Sequence, residues 1–221
     1  MLSENRIRTF IKESNAIEDV HDEDAIGTSL ATYEILTQYD ELTADAIKEA
    51  HQKLLSDRQP QIAGEYRTQY VQINGEIPPE PEEVPELMDN LLSTVPTTQF
   101  EAIDWHIRFE KIHPFIDGNG RIGRLIYLYH CTQCADAKPI IWRENNRFAY
   151  YGLFAEDGFS PVVINSESNE SDENTHKIIN ATNNRYHLEC LNDNSVFKDI
   201  NKENVDHCPS CGVEISHITE S

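Results

Sequence analysis

Residues 113–124 read HPFIDGNGRIGR, and this stretch decides the fold that the sequence predicts. The glycines on either side of Asn119, followed by the apolar run LIYLY, predict a sharp turn that leads into a helix beginning at about Asn119. The free N–H groups and the positive dipole end of such a helix N-terminus favour an anion such as phosphate. We therefore expect this turn to bind phosphate.

The charged side chains of the same stretch fit that chemistry. Arg121 and Arg124 are three residues apart, so both can lie over the opening turn of the helix and bind phosphate oxygens. Asp117 offers the hard oxygen ligand that Mg²⁺ uses alongside substrate phosphates. His113 can accept a proton from an attacking hydroxyl near neutral pH. Together they predict phosphoryl or nucleotidyl transfer; the alternative is an Asn-Gly turn before a core helix, with surface arginines and a capping aspartate.

Residues 113–124 resemble the signature of the Fic family, HxFx(D/E)GNGRxxR, at every specified position. The matching residues are His113, Phe115, Asp117, Gly118, Asn119, Gly120, Arg121 and Arg124. Three neighbouring stretches are similar as well, and they read HQKLL at 51–55, GEYRTQYVQING at 64–75 and WHIRFEKI at 105–112. The resemblance covers about residues 1–155.

This resemblance implies a mainly α-helical fold, a Fic-type bundle with a small β-hairpin called the flap. It also implies an enzyme of the nucleotidyltransferase class, a protein adenylyltransferase that moves AMP from ATP to a Ser, Thr or Tyr hydroxyl of a target protein and releases pyrophosphate. The target could be the protein itself, and a homodimer stays open. The alternatives are removal of AMP by the same site, transfer of another group such as phosphate or phosphocholine, a nucleotide-binding interaction module with a zinc tail, and a toxin paired with a separate antitoxin.

The resemblance assigns a role to each motif residue. His113 would be the general base, Asp117 would hold Mg²⁺, and Phe115 would be a core anchor that fixes the loop. The residues expected to bind the phosphates of ATP are Gly118, Asn119, Gly120, Arg121 and Arg124.

Residues 70–77, YVQINGEI, place Asn74-Gly75 between two short β-prone runs, which is the strongest short-range signal for a hairpin turn. By the resemblance this hairpin is the flap, which would align the target segment by strand addition. The flap residues expected to do so are Thr68, Tyr70, Val71 and Ile73.

Apolar residues at helical spacing predict further helices. One covers residues 47–54 behind Thr43 as N-cap, one covers residues 84–91, and one follows a capping box at residues 98–101. His51 lies on the inner face of the first of these, and we interpret it as a hydrogen-bonded core residue outside the site.

Ser14 to Glu18, within KESNAIEDV, resembles the inhibitory motif (S/T)xxxE(G/N) of regulated Fic proteins. In physical terms Glu18 could pair with Arg124 and sequester the cation that would hold the γ-phosphate. Asp19 takes the place of the expected Gly or Asn, which puts the end of the helix in question, because Asp tolerates left-handed backbone less well than Gly. The alternative is that Glu18 is one more solvated carboxylate.

The composition excludes other classes of protein. The 221 residues are 38% hydrophobic, with eight Phe and nine Tyr, enough for a sizeable core. With 18 Lys and Arg against 39 Asp and Glu, the net charge is −21, so we expect neither a nucleic-acid nor a membrane partner. The absence of a long apolar run predicts a soluble, cytoplasmic protein. The acidity fits either a halophile's surface or an ordinary acidic cytosolic protein.

The composition shifts near residue 160, where an asparagine-rich polar stretch begins. We divide the chain into an N-terminal inhibitory helix region (1–25), a Fic catalytic core (26–160), a polar linker (161–182) and a short zinc-ribbon-like tail (183–221).

The tail contains CPSCG at 208–212, which is typical of a zinc knuckle. A structural Zn²⁺ needs two further ligands, and His187 and Cys190 share the same two-residue spacing. The predicted zinc ligands are His187, Cys190, Cys208 and Cys211, with His207 or His217 as substitutes for His187. The other CxxC pair, Cys131 and Cys134, closes the apolar helix and is interpreted as buried structural thiols.

Overall fold

The computed structural model describes most of the N-terminal part of the chain and three strands of the C-terminal part. The described residues are 2–73, 77–134, 139–144, 147–154, 176–182, 185–190 and 195–201. The chain divides into two compact units, Met1–Pro139 and Ile140–Ser221. Within the described residues, no helix combines the length and apolarity that crossing a membrane requires.

The first unit is helical, as predicted. A 3-10 turn, Pro81–Glu83, leads directly into its fourth helix. The helices are α1 (Glu4–Ile17), α2 (Glu23–Leu36), α3 (Ala44–Leu55), α4 (Val84–Leu92), α5 (Gln99–Ile112) and α6 (Asn119–Gln133).

Local capping explains where the predicted helices begin. The Thr43 hydroxyl accepts the N–H of Ala46 at 3.2 Å at the start of α3. Thr98 and Glu101 form a reciprocal capping box at the start of α5, with both hydrogen bonds at 3.2 Å. These two starts, and that of α6 at Asn119, are confirmed.

Helix α6 is the central helix of the first unit. Every residue from 121 to 131 is buried, so the helix is enclosed on all sides by α1, α2, α3 and α5. Its two motif arginines are therefore drawn into the core together with its apolar residues. Cys131 and Cys134 are buried free thiols, as predicted, and burial raises the pKa of Cys131 to about 12, which keeps it protonated.

The predicted β-hairpin is not confirmed. Asn74 and Gly75, its turn, lie outside the described residues. In the described part of the first unit, Ile73 takes part in a single β-bridge and no strand is formed.

The second unit begins with α7 (Arg147–Tyr151) and a 3-10 turn at Gly152–Phe154. It also contains an antiparallel sheet of order β1-β2-β3, formed by His176–Thr182, Arg185–Cys190 and Ser195–Asn201. β1 occupies the end of the stretch that we interpret as a linker. The predicted zinc ribbon is not confirmed: His187 and Cys190 lie on β2, while Cys208 and Cys211 lie outside the described residues.

Candidate functional site

The motif loop, residues 113–118, joins the end of α5 to the start of α6. At its first position, His113 adopts a left-handed backbone with φ of 50°, and its N–H donates to the carbonyl of Phe109 at 3.0 Å. A non-glycine residue in this conformation is strained and persists only where the surroundings hold it, which is common at functional sites. The loop therefore begins with a histidine whose backbone needs support.

Hydrogen bonds within the loop fix its shape. The side-chain amide of Asn119 accepts from the N–H of Phe115 and donates to its carbonyl, both at 2.9 Å. Gly118 has a φ of 78°, a conformation that favours glycine, and its N–H donates to the carboxylate of Asp117 at 2.7 Å. The Asn119 side chain is thus engaged in closing the loop, and what the turn presents to an anion is the set of N–H groups in the first turn of α6.

His51, on α3, supports the loop from outside. Its Nδ1 accepts the N–H of Gly64 at 2.9 Å, so Nε2 carries the proton and donates to the carbonyl of Asp117, also at 2.9 Å. The ring stacks on fully buried Phe115 with a centroid distance of 3.7 Å. Burial lowers the pKa of His51 to about 4, which keeps it neutral. The interpretation of His51 as a hydrogen-bonded core residue is confirmed, but its link to the motif loop was not foreseen.

Arg67 is a buried cation that the sequence did not single out. It is 2% exposed, and its guanidinium and backbone N–H both reach the junction between α5 and the motif loop. The carbonyls that accept its hydrogen bonds are those of Gln69, Pro79, Ile112, His113 and Pro114. Arg67 lies in the stretch GEYRTQY beside the predicted flap, where nothing in the pattern signals that the guanidinium turns inward.

The environment of His113 keeps its imidazole neutral. Burial lowers the pKa of His113 to about 4, and the charge of Arg67 acts in the same direction. The carbonyl of Glu110 and the carboxylates of Glu18 and Asp117 act in the opposite direction. Near pH 7 the ring is therefore free to accept a proton from a nucleophile.

Asp117 is the exposed carboxylate of the loop. One of its oxygens, Oδ2, accepts from the side-chain amide of Gln59 at 2.5 Å, which orients the carboxylate. An accessible hard oxygen that a neutral amide positions fits the ligand preference of Mg²⁺. No sequence signal identified Gln59.

The guanidinium of Arg124 lies beside the opening turn of α6, as its spacing predicted, because a Cβ built on Gly120 would lie 3.0 Å from its Nη1. It is fully buried, and its Nε donates to the hydroxyl of Ser14 at 2.9 Å. Its Nη2 donates to the Ser14 carbonyl at 2.8 Å and to Oε1 of Glu18 at 2.9 Å. The expected pairing of Glu18 with Arg124 is therefore present, and Ser14 joins it through both its side chain and its backbone.

The end of α1 explains the position of Glu18. Asp19 takes the left-handed conformation, with φ of 56°, and its N–H donates to Ala16 at 3.0 Å while that of Val20 donates to Asn15 at 3.1 Å. This is the Schellman pattern, so the aspartate ends the helix in the manner expected of Gly or Asn. A Cβ built on Gly120 would lie 2.3 Å from Oε1 of Glu18, which shows that the carboxylate rests against the first turn of α6.

Arg121 points elsewhere than Arg124. It is 8% exposed and lines a cavity of about 530 Å³ between α2, α3 and α6. The charged residues that also line this cavity are Asp22, Lys53 and Arg58. Among them, Asp22 and Arg58 form an ion pair at 2.5 Å. Arg121 thus faces this cavity, whereas Arg124 pairs with Glu18.

The flap residues differ in exposure. Tyr70 is 70% exposed and Thr68 is exposed, whereas Val71 and Ile73 are half-buried. In the second unit, the backbone register sets Cys190 opposite His176 and His187 opposite Asn180. The structure thus brings together the motif residues, Ser14 and Glu18 in the first unit, whereas the zinc set is only half described.

Comparisons with known proteins find similarity to one family. Residues 41–131 match the model of the Fic/DOC family. The chain is 34% identical over 125 residues to "Protein adenylyltransferase Fic" of Nematostella vectensis, which aligns 53% of this chain and 29% of the relative. It is 33% identical over 144 residues to the protein of the same name from Drosophila erecta. That alignment covers 60% of this chain and 28% of the relative.

The fold matches a solved structure. The crystal structure of a Fic-domain-containing signalling protein from Bacteroides thetaiotaomicron superposes with a TM-score of 0.57 at 22% identity, covering 68% of this chain and 71% of that chain. The chain spans less than a third of the length of the curated relatives it matches. The segment that matches the Fic/DOC model, residues 41–131, contains the whole motif loop, so this part of the chain is similar to the Fic/DOC family.

Proposed function

We propose that this protein is an adenylyltransferase that transfers AMP from ATP to a hydroxyl side chain of a target protein and releases pyrophosphate. The observation that carries the proposal is the motif loop itself, which places neutral His113 and the exposed carboxylate of Asp117 directly before the helix that carries Arg121 and Arg124. The relatives named protein adenylyltransferase, at 34% and 33% identity, support it, and the Fic/DOC model matches residues 41–131, which include the motif loop.

The transfer step uses groups of this chain. His113 accepts the proton of the target hydroxyl as the hydroxyl oxygen forms a bond to the α-phosphorus of ATP. The bond between that phosphorus and the oxygen bridging to the β-phosphorus breaks, so that AMP stays on the target and pyrophosphate leaves. Because the loop is held by Asn119 and His51 before ATP binds, little reorganisation is needed at the reacting centre.

The phosphates have complementary groups at the end of α6. The first-turn N–H groups and the helix dipole attract the α-phosphate, and Arg121, beside its cavity, is available to the outer phosphates. Asp117 would hold Mg²⁺, which would neutralise charge on the triphosphate and on the leaving pyrophosphate.

We further propose that Glu18 inhibits the transfer. Its carboxylate rests against the first turn of α6 and pairs with Arg124, so it takes both the position and the cation that a phosphate would use. ATP could then bind only with its outer phosphates displaced. Since the Glu18 side chain is 39% exposed, its displacement requires no unfolding of the core.

Labelled ATP tests the reaction. The full chain and its Glu18→Gly variant are incubated with Mg²⁺ and ATP labelled at either the α- or the γ-phosphate, and label on protein is counted. AMP transfer places only the α-label on protein, and His113→Ala abolishes it. Label from the γ-position alone would overturn the proposal in favour of a kinase. Loss of AMP from the labelled protein after ATP is removed would favour AMP removal by the same site.

For the tail, we propose a structural Zn²⁺ bound by His187, Cys190, Cys208 and Cys211. The spacing of the two pairs supports it, and a short polar segment gains folding free energy from a metal. Metal analysis of the full chain is expected to find about one zinc ion, kept in Ser210→Ala and lost in Cys208→Ser. A metal-free natural chain would overturn the zinc site without touching the AMP-transfer proposal.

A further inference from the structure

We infer that Arg67 is a positioning residue for the transfer: it fastens the two ends of the flap segment to the end of α5 and so holds His113 in place. The flap segment is residues 68–79. The inference rests on the proposed function, because His113 is the base of that reaction.

The contacts of Arg67 join two parts of the chain that are distant in sequence. On one side, Nη1 donates to the carbonyl of Gln69 at 3.3 Å and Nη2 to that of Pro79 at 2.5 Å. These residues lie near the start and at the end of the flap segment.

On the other side, Nε donates to the carbonyl of His113 at 2.8 Å and Nη2 to that of Ile112 at 3.3 Å. In addition, the backbone N–H of Arg67 donates to the carbonyl of Pro114 at 2.8 Å. One residue therefore binds three consecutive carbonyls at the point where α5 becomes the motif loop.

The chemistry of a helix end explains why an arginine is suited to this position. The last carbonyls of a helix have no intrahelical donor, and they carry the negative end of the dipole, which attracts a cation. A guanidinium presents five N–H donors in a fixed fork, so it can bind several carbonyls at once, which an ammonium on a flexible stem cannot do.

Burial makes this arrangement demanding. Arg67 is only 2% exposed, and the guanidinium hydrogen bonds that the structure describes all go to main-chain carbonyls rather than to a carboxylate. A buried charge is costly unless its hydrogen-bonding groups are satisfied, so displacement of any of these carbonyls is opposed. Arg67 therefore restrains the same main-chain carbonyls that satisfy its own hydrogen bonds.

His113 is the residue that depends most on this restraint. Its left-handed backbone is strained, and its carbonyl accepts the shorter of the two guanidinium bonds at the helix end. Loss of Arg67 would let the backbone relax and move the imidazole. The phosphates bind at α6, to which Arg67 makes no described hydrogen bond, so the catalytic rate should fall while ATP affinity is kept.

The test compares Arg67→Gln and Arg67→Lys with Arg108→Gln, all in the Glu18→Gly background. Arg108 is a matched control because it lies on α5, half exposed, 4.0 Å from Asp104. The kcat and KM for self-labelling with α-labelled ATP, the Kd for ATP and the unfolding midpoint are measured for each protein. Arg67→Lys keeps the charge and most of the volume, so it remains informative if the Gln variant fails to fold.

A displaced catalytic group can cost about 100-fold in rate, and we expect such a fall in kcat for Arg67→Gln with Kd for ATP unchanged. Arg67→Lys is expected to lose roughly tenfold, because an ammonium cannot bind all the carbonyls together. Arg108→Gln should match its parent.

Two results would overturn the inference: a folded Arg67→Lys with the kcat of the control, or losses of kcat and ATP affinity that are equal. If the Glu18→Gly parent itself transfers no AMP, the proposed function fails instead, and the two failures are thereby distinguished.

Discussion

Two buried arginines flank the candidate site, and they are held in different ways. Arg124 is bound by Ser14 and by the carboxylate of Glu18, which is 39% exposed and belongs to a separate helix. Arg67 is bound by main-chain carbonyls that the fold itself keeps in place. A phosphate can take the place of the exposed Glu18 carboxylate, whereas the main-chain carbonyls around Arg67 cannot move away without distorting the motif loop. We therefore expect substitutions in α1 to switch the site on and substitutions at Arg67 to distort it.

The largest effect is expected at His113, the base of the proposed reaction, whose backbone Arg67 holds. His113→Ala in the Glu18→Gly background should lower the rate of AMP transfer by about 10²- to 10⁴-fold, the usual contribution of a general base. Quantitative α-label incorporation measures this loss. Lys111→Ala, an exposed change near the same helix end, is the control and should be neutral. Transfer by His113→Ala at a rate close to the parent's would show that His113 is not the base and that Arg67 does not act through it.

Next in size is the release of Arg124. Hydrogen bonds to charged groups contribute about 1.5–3 kcal/mol, so Glu18→Gln and Glu18→Gly should raise self-labelling by about ten- to a hundredfold. Glu34→Gln, an exposed change on α2, removes a charge of the same type without touching the site. If the Glu18 variants label at the natural rate, the α1 contact is structural and the comparison between the arginines loses its functional meaning.

Arg67 and Glu18 shift the pKa of His113 in opposite directions, so the pH dependence of the two variants should distinguish them. Transfer needs neutral His113, so kcat/KM should fall as the pH decreases through the pKa of His113, at about 4, and should be flat above it. The charge of Arg67 lowers this pKa, so Arg67→Gln should move the acid limb to higher pH. The carboxylate of Glu18 raises it, so Glu18→Gln should move the limb to lower pH. Shifts of the same sign in both variants would contradict this assignment.

The sequence predicted the parts of the site that depend on local pattern. Thr43 and Thr98 cap helices through residues three positions away, and the glycines of the motif loop follow from its turn. The pairing of Glu18 with Arg124 was also expected, although only from the resemblance.

The contacts of Arg67 and Gln59 were not predicted, because each joins segments that are distant along the chain. Arg67 reaches carbonyls 45 and 46 residues away, and Gln59 reaches Asp117 across 58 residues. A carbonyl is present in every residue, so no spacing marks it as the partner of an arginine. The course of Arg124 toward α1 likewise depends on packing that its spacing from Arg121 does not encode.

The smallest effect should come from Ser14. Its substitution shows how much of the hold on Arg124 comes from Ser14 and how much from Glu18. Ser14→Ala removes the hydroxyl that accepts from Nε of Arg124 but keeps the carbonyl that accepts from Nη2. Because the Ser14 hydroxyl is a neutral acceptor, its bond lies at the low end of about 1.5–3 kcal/mol, which corresponds to roughly a tenfold rise in self-labelling, the lower limit expected for the Glu18 variants. Thr9→Ala is the control, since it removes a hydroxyl on α1 that bonds only to its own helix in the described contacts. If Ser14→Ala activated as strongly as Glu18→Gln, the hydroxyl rather than the carboxylate would be what keeps Arg124 from ATP, and the exposed charge would be incidental.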